Sequence, residues 1–471
     1  MHTLNNTSLW LVVIGIALLT GCALFKPPHR QNLTETLPSH YSLYSTTYTQ
    51  DRSGGWHYFK NSELDRLINK AMSQNFSIRQ AKARLDQARA VSMQAGAASL
   101  PQLDFKAEAT AEPYKSGSMG ERSTEEYGLG FLAGYEVDLW GRISSQQQAA
   151  RLDQSAVKED LYTAGITLAG EVTQHWIDII VQRMELKILA KQLKTNQTLQ
   201  ELVDLRFRKG MVSALDVYQQ KQTVSEVKAS LPLVQLAEIL LKHQLAYLLG
   251  QPPTSKLNIQ TQDLPEITEL PPIGIPADLL ANRPDVRAAG LRLKSADWVV
   301  AAAKADRLPA LSLNARATYL SNDFGSLFDN WILNLMGSLT GPIFDGHHRK
   351  AEISRTRALV QERVADYSQV VYLAIKEVED QLVQAEKHRE HLTALRDQLT
   401  VAQNALREAN ERYQRGLSDY LPVLTQLLAT QRLERDILHM RRQLISDRIG
   451  LLRSLGGCLP KKLLLSYSSR N

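Results

Sequence analysis

Between Leu103 and Pro113 the chain reads LDFKAEATAEP, and its side chains alternate almost without error. Leu103, Phe105, Ala107, Ala109 and Ala111 share one parity; Asp104, Lys106, Glu108, Thr110 and Glu112 share the other. A period of two predicts a strand with one apolar and one wet face. Three further stretches behave alike. From Tyr127 to Leu139 the odd positions are apolar, with Gly128, Gly130, Gly134, Glu136 and Asp138 between them. Leu311 to Tyr319 alternates with Ser312, Asn314, Arg316 and Thr318, and Trp331 to Thr340 repeats the pattern, blurred by Ile332 and Met336. Each runs for about ten residues, the length of a tilted strand that crosses a bilayer.

The chain around these strands has a helical period. From His347 to Arg415 there is neither Gly nor Pro, which predicts one helix on the order of 100 Å long. Its counterpart, Arg142 to Lys209, contains Gly165 and Gly170 but no Pro. Ala394, Leu395, Leu399, Ala402, Ala405, Leu406 and Ala409 recur at coiled-coil spacing, small enough for close packing. A kink is expected at Pro232.

These elements occur twice. RFRKGMVSALDVYQQKQ from Arg206 returns as RYQRGLSDYLPVLTQLL from Arg412, aligning Gly210 with Gly416, Leu215 with Leu421 and Val217 with Val423. SLPQLDFKAEA from Ser99 returns as RLPALSLNARA from Arg307, and VDLWGR from Val137 answers PIFDGHHR from Pro342. YLLGQPP from Tyr247 answers RSLGG from Arg453. The offset is about 206 residues throughout, so two copies cover most of the chain. Each copy predicts a helix (77–99, then 285–307), a strand, a loop, a second strand, a very long helix, a Gly-centred turn and another long helix.

An antiparallel sheet with one face on a helical core and one in water would satisfy the same alternation. The beginning of the chain moves the reading toward membrane. LWLVVIGIALLTGC, residues 9 to 22, is the only long apolar run, too short to span a bilayer comfortably. It reads as a secretory signal, 1–21, although its positive flank is poor. Leu19, Thr20 and Gly21 before Cys22 resemble a lipobox, which makes Cys22 the lipidated residue, and Ala23 resembles outer-membrane sorting. Lipidation of Cys22 would leave Cys458, the second of two cysteines, as a free thiol. Residues 22–55, rich in Pro, Ser and Thr, read as an extended arm. The copies occupy 56–260 and 261–458, and 459–471 form a tail.

Four strands cannot close a barrel, and an open edge in lipid leaves backbone groups unpaired. Three copies would give about twelve strands around an aqueous lumen lined by Asp104, Lys106, Glu108 and Arg316. The net charge of +6 among 471 residues is modest, and no basic block carries interleaved aromatics. Nucleic acid is therefore no expected partner.

YEVDLWGR, GPIFDGHHR, ANRPDVRAA from Ala281, the two Arg-aromatic-x-x-Gly turns and LLGQPP together resemble the TolC-like outer membrane factor family, in its NodT-type lipoprotein branch. The resemblance runs from about Trp56 to Gly457. It implies a mainly α fold with a membrane β-barrel portion: a homotrimer with four strands per protomer in a twelve-stranded barrel, and a long helical periplasmic barrel. It implies a passive exit duct that docks onto a periplasmic adaptor and an inner-membrane pump of the RND type, for drugs or other small toxic compounds. Metal efflux and protein secretion use the same architecture. The resemblance places the periplasmic mouth at the turns around Gly210 and Gly416, with Asp216 and Tyr413 as a hydrogen-bonded gate pair. The plainer alternatives are that Tyr413 packs and Asp216 caps its helix or is solvated. Pro422 and Thr425 stand where members often carry acidic residues, leaving Asp419 nearby as the substitute.

No catalytic motif, cofactor cradle or metal-ligand pattern competes with this reading. His388 and His391, one helical turn apart, read as a solvated face rather than a metal pair. The rival of another class is a lipid-anchored periplasmic coiled-coil scaffold, which would have no use for four lipid-length strands.

Overall fold

A computed structural model describes residues 25–27, 37–43, 59–115, 121–266 and 273–457. The signal segment, Cys22, most of the arm, Cys458 and the tail lie outside the described residues. Twelve elements are used below: α1 (Ser62–Gln74), α2 (Phe76–Ala97), β1 (Gln102–Lys115), β2 (Glu121–Val137), α3 (Arg142–Arg208), α4 (Ala214–Leu248), α5 (Asp278–Asn282), α6 (Pro284–Ala305), β3 (Ala310–Ser321), β4 (Trp331–Thr340), α7 (His348–Gln414) and α8 (Leu421–Ser454). The duplication is visible in their lengths. Helices α2 and α6 each have 22 residues, α3 and α7 each have 67, and α4 and α8 have 35 and 34.

The residues divide into two compact units. The first takes in Arg84–Lys158 and Ala288–Gln369 and holds the sheet, ordered β1-β2-β3-β4 with every neighbour antiparallel. Phe105 stands opposite Phe131, Phe131 opposite Ala317 and Ala317 opposite Leu333. This row does not lie on a helical core. Leu103, Phe105, Phe131, Trp331, Leu333, Leu335 and Leu339 are all more than half exposed. Among the described residues of one chain, the apolar face awaits an apolar solvent. That rules out a water-soluble sheet packed on helices.

The other face explains two glycines of β2. A Cβ on Gly130 would lie 2.4 Å from Thr318 Cγ2 and 2.5 Å from the Ala317 carbonyl oxygen; one on Gly128 would lie 2.9 Å from Glu108 Cγ. Across Gly128 and Gly130, Glu108 of β1 reaches toward Arg316 of β3, 3.8 Å away, while Lys106 holds its other oxygen at 2.5 Å.

The strand-to-helix corners account for two duplicated motifs. In VDLWGR the Asp138 carboxylate accepts from the backbone N–H of Ile143 (3.0 Å) and Ser144 (2.8 Å), satisfying the first free donors of α3. Trp140 donates to the Pro309 carbonyl at 2.7 Å, and Arg142 binds Glu136 at 2.7 Å. In the second copy Asp345 accepts from the N–H of Arg349 (3.1 Å), whose guanidinium crosses to Asp306 (2.9 Å).

The second unit takes in the described residues of 37–83, 159–287 and 370–457. Trp176, Ile177, Ile179 and Ile180 of α3 are fully buried with Leu64 of α1 and Leu245 of α4. The Trp176 indole donates to Glu63 at 2.8 Å, and the other Glu63 oxygen accepts from the Gln260 backbone at 2.7 Å. In the RPDV motif Arg283 forks onto Asp285 (3.0 and 2.6 Å) and also reaches Glu377 (2.7 Å) and the Ser454 carbonyl (3.1 Å). Pro232 sits inside α4 without ending it. It is exposed, so the carbonyl that loses its partner can turn to water. Among the described residues no helix is long and apolar enough to cross a membrane.

Candidate functional site at the paired helical turns

Both long hairpins reverse in the same way. Gly210 (φ +72°) and Gly416 (φ +73°) occupy the left-handed region, and a Cβ there would meet nothing within 4 Å. The glycine is needed for backbone angle, not for space. The Met211 N–H closes on the Arg206 carbonyl at 2.9 Å, and the Leu417 N–H closes on the Arg412 carbonyl at 2.9 Å. After the first turn Ser213 and Asp216 form a reciprocal cap. The Asp216 carboxylate accepts from the Ser213 N–H (2.9 Å) and hydroxyl (2.8 Å), while the Asp216 N–H donates to Ser213 Oγ (3.3 Å).

Tyr413 is 3% exposed and packs on Tyr420, their ring centroids 5.5 Å apart, in a core with Val203, Val217 and Val423. Its hydroxyl is buried and makes no hydrogen bond. Asp216 and Tyr413 thus share one neighbourhood, but within the chain they do not pair. The reason is local, since the third residue of α4 is where a capping carboxylate is wanted.

The link that joins the two hairpins here comes from Arg206. Its guanidinium lies 4.3 Å from the Tyr413 ring centroid and donates to the carbonyls of Tyr413 (3.0 Å) and Gln414 (3.1 Å) at the end of α7. A cation at a helix C-terminus and over an aromatic face is favoured on both counts. Tyr420 supplies a second link, donating its hydroxyl to Gln220 of α4. Burial, then the charges of Tyr413 and Asp216, push the Tyr420 phenol well above its ordinary value, so it remains a donor. Sequence reasoning missed Arg206 and Tyr420. The only signal was the Arg-aromatic-x-x-Gly repeat itself, which names Arg206 without its partner.

Asp419 is exposed in the second turn. Large apolar side chains stand around both turns: Met211, Leu215 and Tyr218 in the first are 61–70% exposed, and Leu417 and Leu421 in the second are 65% and 57% exposed. Asp104, Lys106, Glu108 and Arg316 share the glycine-lined face of the sheet. His388 is not simply solvated, because its Nδ1 lies 2.7 Å from the carboxylate of buried Asp447 on α8, while His391 is exposed. No cluster of metal-ligating side chains occurs among the described residues.

A sheet with one exposed apolar face and one charged face, together with two duplicated helical hairpins, defines an outer-membrane channel subunit. The chain belongs to the outer membrane efflux protein family, whose model matches residues 67–251 and 275–457, one segment in each copy. It is similar to the pyoverdine export outer membrane protein OpmQ of Pseudomonas aeruginosa, 28% identical over 461 residues, covering 95% of this chain and 96% of that one. It is also similar to the probable outer membrane lipoprotein SilC of Salmonella typhimurium, 26% identical over 460 residues, covering 95% and 98%. The solved structure of the outer-membrane channel OprN matches with a TM-score of 0.86 at 26% identity, over 93% of this chain and 99% of that one. The protein is an outer-membrane efflux channel with a helical barrel and a β-barrel part, and its family is one of channels, not enzymes.

Proposed function

We propose that three copies form the exit duct of a tripartite efflux system, lipid-anchored through Cys22 and reaching into the periplasm. The observation that carries this is the sheet. Among the described residues strands β1 and β4 have free edges, and the face shared by Phe105, Phe131 and Leu333 is exposed. In hydrocarbon such edges must be sealed, and copies of the same sheet are the available partners. The glycine-lined face with Asp104, Lys106, Glu108 and Arg316 then lines the bore. Cargo moves passively, and an inner-membrane pump, of the RND type in our reading, supplies the work.

The turns around Gly210 and Gly416 form the periplasmic mouth. Their exposed Met211, Leu215, Tyr218, Leu417 and Leu421 suit docking by a periplasmic adaptor. Asp216, Tyr413 and Asp419 remain our candidates for the gate. OpmQ is named for pyoverdine export, which supports small molecules rather than proteins as cargo, and drugs or other small toxic compounds are the proposed class. Purified protein should insert discrete channels into planar bilayers, and Tyr413→Phe with Asp216→Asn should raise their conductance. Absence of channels would remove the duct; unchanged conductance in the double variant would remove the gate pair.

A further inference from the structure

The arm rests on the sheet-bearing unit, beside a cavity that has no part in the helical turns. Phe25, Lys26 and Pro27 close one side of a space of about 340 Å³ between the C-terminal end of α6 and the early turns of α7. That volume lies within the range of small-ligand pockets, about 300–1,000 Å³. Phe25, Val300 and Val360 give it an apolar floor, and three cations stand around it: Lys26, Lys304 and Arg357. Among the described residues none of the three has an ion pair or a side-chain hydrogen bond. The other arginines in these turns of α7 are engaged. Arg349 binds Asp306 (2.9 Å), Arg355 binds Glu352 (2.7 Å) and Arg363 binds Asp366 (3.0 Å). The one acidic residue of the lining, Asp297, is 8% exposed and already has a partner. Unneutralised cations around an apolar floor suit a phosphate attached to an apolar body.

Position says where such a phosphate comes from. Phe25 follows Cys22 by three residues, so the two are separated by at most about 11 Å of extended chain. Helix α6 ends at Ala305 and β3 begins at Ala310, which puts Lys304 close to the rim where the strands start. Acyl groups on Cys22 would hold this rim at the periplasmic leaflet, where phospholipid headgroups are the nearest phosphates. The duplication supplies an internal comparison. Aligning RLPAL from Arg307 with SLPQL from Ser99 sets Gly96 at the place of Lys304. The first copy therefore lacks the half-buried cation, and only the copy that carries Phe25–Pro27 has the full set.

We propose that this cavity binds the phosphate of an anionic phospholipid beside the Cys22 anchor. The proposal rests on the lipid-anchor reading above and adds a second, non-covalent hold on the same leaflet. The full lipoprotein, purified in neutral detergent, is titrated with phosphatidylglycerol, phosphatidylcholine or inorganic phosphate, and bound molecules are counted by native mass spectrometry. The denatured mass of the same sample reports the acyl groups on Cys22. Phosphatidylglycerol should be retained at one per chain, and phosphatidylcholine and inorganic phosphate each about tenfold more weakly. Lys304→Gln with Arg357→Gln should weaken phosphatidylglycerol on the order of 30-fold, and Lys26→Gln alone, at an exposed position of the arm, about fivefold. Lys304→Arg with Arg357→Lys should keep it. Equal retention by the glutamine variants and the wild type, equal retention of the two lipids, or inorganic phosphate bound as tightly as phosphatidylglycerol would overturn the proposal. A denatured mass without acyl groups would refute the anchor at Cys22 instead, and the titration would still decide the cavity.

Discussion

Three side chains show how strongly single positions are specified. Arg206 spends its charge on the Tyr413 ring and two terminal carbonyls of α7. Arg206→Ala should cost about 1–3 kcal/mol of stability and raise the frequency of channel opening, read from melting curves and single-channel records. Gly130 has no room for a methyl group beside Thr318 and the Ala317 carbonyl. Gly130→Ala should therefore leave outer membranes without heat-stable oligomer, whereas the same change at Gly134, where the nearest atom is 3.6 Å away, should be tolerated. Burial alone would raise the Glu63 carboxyl, but hydrogen bonds from the Trp176 indole, the Gln260 backbone and Thr261 hold it below its ordinary value. Its stabilisation is full above the unfolded value of about 4.3 and is lost as pH falls through the lower folded value. The wild type should thus lose melting temperature through that acid window, and Glu63→Gln should flatten the slope.

The secondary elements divide by how local their causes are. The 67-residue helices were legible because Pro is absent from both and the second also lacks Gly, and the strands because one face is apolar over their length. Helix α1 was overlooked, although Asn61 caps Glu63 and Leu64 and Leu64, Ile68, Ala71 and Met72 mark one face. Its pattern is short and abuts α2 without a loop. Strand β2 starts six residues before the predicted Tyr127 because Glu121–Glu126 pair with β1, Glu125 opposite Ala111, without apolar alternation. The Arg206–Tyr413 contact spans 207 positions and obeys no period. No spacing rule could have found it. At Pro232 α4 continues against local propensity, for 35 residues in all. Pro232→Ala should stabilise the protein by about 1–3 kcal/mol, seen as a higher melting temperature with unchanged conductance.

As an assembly, the protein is governed by what a single chain leaves undone. Among the described residues its sheet has two free edges and an uncovered apolar face, and α4 has an uncovered apolar stripe. In the proposed ring of copies both would be covered at once, the sheet edges by strand pairing in lipid and the α4 stripe by the next hairpin. Native mass spectrometry of the detergent-extracted, lipidated protein weighs this account most directly. Three chains per particle is the predicted result; a stable single chain, its strands open to protease in intact outer membranes, would contradict it.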